Sequence, residues 1–133
     1  MLVLAGLSAP AAGCPPPIPG QTETDRLKPG FDRASDIVYG VVLKGAREKQ
    51  KARFKILHVY KGSLAPGTIV QAVPTYGFDP PPCLGMMQLP PPRVEKGNYG
   101  VVAFHSSEPA LNFIDQHTLE LAFSEGWIHS ARR

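Results

Sequence analysis

Cysteine is almost absent from this chain: two in 133 residues, Cys14 and Cys83. Two thiols permit one disulfide and exclude a densely stapled scaffold. There is no Cys-x-x-Cys, no His-Glu-x-x-His, no Gly-x-Ser-x-Gly and no phosphate-cradling glycine loop, so the usual signatures of dithiol redox, zinc protease, serine hydrolase and nucleotide chemistry are missing. No apolar run reaches the about 20 residues needed to span a bilayer as a helix. No internal repeat is visible, and the length leaves room for one domain.

What is abundant is proline, 15 residues, most of them gathered at 15–19, 80–82 and 90–92. Such clusters read as extended, hydrogen-bond-poor segments laid on a folded body. Residues 1–13 are uncharged and end in small residues, with Ala9-Pro10-Ala11 and Ala11-Ala12-Gly13 both fitting a small-x-small cleavage pattern. The first basic residue is Arg26, so the basic n-region of a signal peptide is lacking, and the reading is of a leader truncated at its start. The expected organisation is a leader over 1–13 and a single domain over 14–133, exported to the periplasm or secreted.

Cys14, at the junction of leader and proline run, has three readings: half of a disulfide, a lipid attachment site within Ala11-Ala12-Gly13-Cys14, or a mature N-terminus. All three place the protein outside the cytosol. The expectation adopted is a Cys14–Cys83 disulfide tying an N-terminal arm to the second proline run. Closing a loop of about 70 residues removes roughly 4 kcal/mol of unfolded-chain entropy.

Residues 14–30 read as an extended arm, with one helical turn at Phe31 to Ser35. Ile37 to Leu43 is apolar on both faces, as in a buried strand. After a polar loop, Ala52 to Ile56 alternates cleanly, with Phe54 and Ile56 inward and Arg53 and Lys55 outward. The alternation blurs over Leu57 to Tyr60, which predicts burial on both faces or a bulge. Thr68 to Val73 is a third strand, Pro74 to Pro92 a long insertion, and Tyr99 to Phe104 a fourth strand. Asp115 caps a terminal helix in which Leu119, Ala122 and Phe123 recur at helical spacing, and Gly126 ends it. Trp127 and Ile128 fold back onto the core. The connections are too short for helical crossovers, so the strands read as antiparallel. The predicted class is mainly β: a small antiparallel OB-like barrel with one C-terminal α-helix.

Several side-chain groups carry the chemistry of a possible site. His58, His105, His117 and His129 show no metal-ligand spacing, although His58 and His105 sit near the ends of adjacent-looking strands and could meet in space. Cys83, Met86 and Met87 have the soft composition Cu(I) prefers. Neither group is adopted: no catalytic residue, metal or cofactor is assigned. The most tangible surface is basic: Lys44, Arg47, Lys49, Lys51, Arg53 and Lys55, followed by Lys61, against the single acid Glu48. On a hairpin these form one positive edge, suited to an acidic protein or an anionic envelope surface. Lysines on a strand also guard a sheet edge against aggregation. Nucleic acid is not expected, because Phe54, the aromatic that would interleave with the cations, alternates inward.

The cysteine-proline start, the strand entered through Ala34-Ser35-Asp36-Ile37-Val38, the strand ending Val59-Tyr60-Lys61-Gly62 and the Gly97-Asn98-Tyr99 strand start together resemble the netrin-like superfamily. That superfamily includes the tissue inhibitors of metalloproteinases and small bacterial exported domains. The resemblance covers roughly residues 14–105 and implies an OB-like β-barrel. In the animal inhibitors the amine and carbonyl of the mature N-terminal cysteine chelate the protease zinc, a role that would fall on Cys14. The chain departs from that pattern in lacking a Cys-x-Cys start, since Pro16 stands at the second position, and in allowing one disulfide instead of several. The function expected is therefore an exported, non-catalytic binding domain. The alternatives are a metalloprotease inhibitor acting through Cys14 and a lipid-anchored envelope protein.

Overall fold

The computed structural model describes residues 18–80, 89–105 and 108–129. Its elements are α1 (Glu23–Arg33), β1 (Asp36–Lys44), β2 (Ala46–Arg47), β3 (Ala52–Lys61), β4 (Ile69–Pro74), β5 (Arg93–Val94), β6 (Tyr99–His105), β7 (Glu108–Ile114) and α2 (Gln116–Ser124). Five strands close into a barrel in the order β1-β3-β4-β7-β6, and β2 and β5 form a separate two-stranded ribbon. The mainly β, OB-like architecture read from the sequence is the one observed.

The period-2 geometry of a strand explains why β1 and β6 are apolar on both faces. Val38, Val42, Val102 and Phe104 turn inward to meet Phe54, Ile56, Ala72 and Leu111 in the barrel interior. Ile37, Val101 and Ala103 turn outward, where Phe31 and Ala34 beside them and Ala122 and Ile128 from the C-terminal end cover them. The helices thus roof one side of the barrel and leave the outer face of β3 and β4 uncovered.

Helix α1 is a second helix where an extended arm was expected. Thr22 and Asp25 form a reciprocal capping box, and Pro29 lies inside the helix. Proline removes a hydrogen bond and disfavours the helix interior, but Leu27 and Phe31, one turn apart, are buried at 4% and 2% exposure. Burying those two side chains, at about 1.5–3 kcal/mol each, offsets that cost. Lys61 fastens the other end, its Nζ donating to the Phe31 carbonyl at 2.8 Å and the Asp32 carbonyl at 3.3 Å.

The expectation of antiparallel strands alone is corrected at one seam. Strand β7, which the sequence reading left unassigned, pairs antiparallel with β6 and parallel with β4 through Val73–Ala110 and Pro74–Leu111. The connection from β4 to β7 runs through the proline insertion and β6, long enough for the crossover that a parallel pair requires. Part of that insertion is anchored along β7: Thr75 Oγ1 donates to the Leu111 carbonyl at 2.9 Å, and the Phe78 amide to the Phe113 carbonyl at 2.9 Å.

Along β3 the register against β1 skips Leu57 and Tyr60. These are bulges, as the blurred alternation predicted. They turn Val59 inward and set His58 beside Tyr60 with rings 4.8 Å apart.

Candidate functional site

The six cations of the hairpin are all exposed. Lys44 ends β1, Arg47 lies in β2, Lys49 and Lys51 flank the loop tip, and Arg53 and Lys55 project outward from β3. The tip is fixed from below: the Glu48 amide donates to the Pro92 carbonyl at 2.8 Å, and the Gln50 amide to the Arg47 carbonyl at 3.0 Å. Lys61 is not part of this surface, because its ammonium is spent on the C-terminus of α1.

Charge is distributed unevenly over the molecule. Residues 44–55 hold six cations against Glu48, a local +5, while the remaining eight cations and ten acids of the chain sum to −2. Two of the three cations on α1 are acid-paired, Arg26 with Asp79 and Lys28 with Asp32. Among the described residues, none of the six hairpin cations has an acidic partner within ion-pair distance.

Strand register then sets like charges against each other. Lys44 is directly opposite Arg53 in the β1–β3 ladder, and Arg47 is directly opposite Arg93 in the β2–β5 ribbon. Like charges at directly opposed positions are destabilising. Edge protection does not explain Arg53 and Lys55, since the stretch of β3 that carries them is bonded to β1 on one flank and to β4 on the other.

Between the cations lies apolar surface. One row across four strands reads Tyr99, Val41, Lys55 and Ile69, and the next reads Lys44, Arg53 and Gln71. Tyr99 is 63% exposed and Ile69 45%, with Leu57 at 40% nearby. Tyr39 stacks on Tyr99, with ring centroids 6.2 Å apart and planes at 26°, and forms the wall where the helical roof begins. The result is a mixed strip in which Lys55 lies between Val41 and Ile69 and Tyr99 stands at one end, bordered by Lys44 and Arg53 in the next row.

The other candidates fall elsewhere. His58 and His105 do not meet: they lie on β3 and β6, on opposite flanks of β1, with His58 opposite Tyr39 and the residue before His105 opposite Asp36. That is about three to four residues along the sheet, or roughly 10–13 Å at 3.3 Å per residue. The Nε2 of His58 is buried and has no hydrogen-bond partner. His117 pairs with Glu23 at 2.9 Å, linking α2 to α1; His129 is exposed. Among the described residues no three His, Cys, Asp or Glu side chains gather as a metal site. Phe54 is fully buried in the barrel. Cys14, Cys83, Met86 and Met87 lie outside the described residues.

Reading by composition missed Arg93, Tyr39, Tyr99, Leu57, Ile69 and Gln71. They come from five strands, with Ile69 and Gln71 together on β4, and no local pattern shows that these strands are neighbours.

No protein family matches the chain, and no curated protein and no solved structure matches it either. Among the described residues no helix is long and apolar enough to cross a membrane.

Proposed function

We propose that this chain is an exported, non-catalytic binding domain that docks on an acidic protein through the open face of β3 and β4 and the adjoining hairpin tip. The observation that carries this reading is the set of six exposed cations without acidic partners, three of which, Lys44, Arg47 and Arg53, the register sets directly opposite another cation. Apolar area interleaved with charged side chains is what a non-obligate protein interface presents. A single-strand nucleic-acid surface needs successive exposed aromatics for stacking, whereas here Tyr99, stacked on Tyr39, stands at one end and the rest of the row is Val41, Lys55 and Ile69. The apolar leader and the proline-flanked cysteine of the sequence support an exported setting.

The test is a titration of the full chain with poly-L-glutamate, single-stranded DNA and phosphatidylglycerol vesicles across a salt series. Binding to poly-L-glutamate that weakens with salt and is lost in the double variant Arg53→Glu, Lys55→Glu is expected. Binding indifferent to that reversal, or binding to DNA or vesicles alone, would overturn the acidic-protein reading.

A further inference from the structure

Arg47 and Arg93 are brought together by the smallest sheet in the molecule. Strand β2 has two residues and β5 has two, and the register opposes Ala46 to Val94 and Arg47 to Arg93. A ribbon this short gains little from its own hydrogen bonds. It is held by burial of Val94 at 9% exposure and by Ala46 packed on the same core. The apolar pair therefore anchors the ribbon and leaves the arginine pair at its outer end.

Beside that pair is an open concavity of about 220 Å³ lined by Arg47, Gln50, Arg93 and Glu95, with Gly45 and Val94 in its wall. Its volume is below the roughly 300–1,000 Å³ of pockets that enclose a whole drug-sized ligand, so it suits a single group carried on a larger partner. The Glu95 carboxylate lies 2.9 Å from Arg93 Nη2, so one guanidinium of the pair already holds a carboxylate. Arg47 has no such partner among the described residues, and its backbone amide donates to Gln50 Oε1 at 3.4 Å. Two planar guanidinium forks side by side offer parallel N–H donors, which match carboxylate oxygens in bidentate fashion.

We infer that the Arg47–Arg93 pair with Gln50 is a carboxylate-binding pocket in which Glu95 is an internal placeholder, displaced when a carboxylate of the acidic partner bridges the two arginines. This rests on the docking reading above and adds to it the group recognised and the residues that hold it. The displaced Glu95 returns to solvent, where it is already 63% exposed, so the exchange requires no burial of charge.

The probe is hexaglutamate, titrated into the full chain at low ionic strength, with succinate as a single-group comparison. Arg47→Met and Arg93→Met each lower hexaglutamate affinity about five- to tenfold, the range expected when a charge-assisted hydrogen bond is lost at a partly exposed site. Glu95→Gln raises affinity about threefold, because Arg93 is released. Neither arginine variant melts below the parent, since each relieves a like-charge opposition; a purely structural role would lower both melting temperatures. If Glu95→Gln weakens binding, or if both arginine variants bind as the parent does while Arg53→Glu, Lys55→Glu abolishes binding, the pocket is refuted and the docking face stands. If the parent binds no hexaglutamate at all, pocket and docking face fail together.

Discussion

Lys44 and Arg53 stand directly opposite each other across the β1–β3 ladder. Opposed like charges cost stability and opposed unlike charges add roughly 0.2–1 kcal/mol. Replacing Lys44→Glu should therefore raise the urea midpoint with no change in slope, while weakening binding to poly-L-glutamate. Stability and binding moving in opposite directions would mark the pair as kept for recognition. A variant both less stable and unchanged in binding would show that Lys44 serves the fold.

A second relationship, between Gly40 and Gly100, marks a point of close packing in the barrel. They face each other in the β1–β6 ladder. A Cβ on Gly40 would stand 2.1 Å from the Lys55 carbonyl oxygen and 2.7 Å from the Phe54 ring, and one on Gly100 would stand 2.8 Å from the Phe113 ring. Phe54 and Phe113 meet edge to face over this site, with centroids 6.1 Å apart. The obstruction at Gly40 is backbone, which cannot swing away, so Gly40→Ala should destabilise by at least the ~1–3 kcal/mol typical of overpacking. Urea denaturation measures it; an unshifted midpoint would mean that β1 and β3 can part without loss. Gly100→Ala should cost less, because a side chain is what it meets.

These contacts show what was legible in the sequence and what was not. Strands β1 and β6 were readable because each is covered on both sides, by the barrel interior and by the helical roof, and so is apolar throughout. Helix α1 was hidden by Pro29-Gly30 and by the proline-rich flank before it. Its real signals were the Thr22–Asp25 capping box and the Leu27/Phe31 pair one turn apart. Strand β7 was hidden because Pro109 and the unbroken pair Phe113-Ile114 spoil alternation; its inner and outer faces are both buried. The six cations of the candidate surface were readable from composition. Their apolar neighbours Tyr99, Val41 and Ile69 were not, because the row they form is defined by the register of four strands, which no local pattern encodes.

Helix α2 is joined to α1 by His117, whose Nε2 lies 2.9 Å from Glu23 Oε1. The hydrogen bond and the charge of Glu23 hold the imidazole above the ordinary histidine range. A histidine raised in the folded state contributes stability that is full below its unfolded value and is lost as pH rises through the folded value. The pairing of the two helices should thus be firmest in mildly acidic solution and loosen above neutrality. An NMR titration should place His117 above the ordinary histidine value, and Glu23→Gln should bring it down. An unshifted His117 in that variant would show that Glu23 is not the cause.

The two cysteines give the last prediction. The stretches leading to them are held side by side: Arg26 Nη1 of α1 donates to Asp79 at 2.5 Å, and the Phe31 and Phe78 rings are 4.8 Å apart. Asp79 is four residues before Cys83 and Thr22 eight residues after Cys14. Extended chain of those lengths reaches about 13 and 26 Å, so these separations permit a Cys14–Cys83 bridge. Oxidised protein from a secreting host should be lighter than the reduced chain by two hydrogens and yield a Cys14–Cys83 peptide. Cys83→Ser should then lower stability by roughly 2–5 kcal/mol. A parent that melts alike with and without reductant, with a diacylglyceryl adduct on Cys14, would replace the disulfide by a lipid anchor. That outcome would leave the basic face of the barrel presented at a membrane surface.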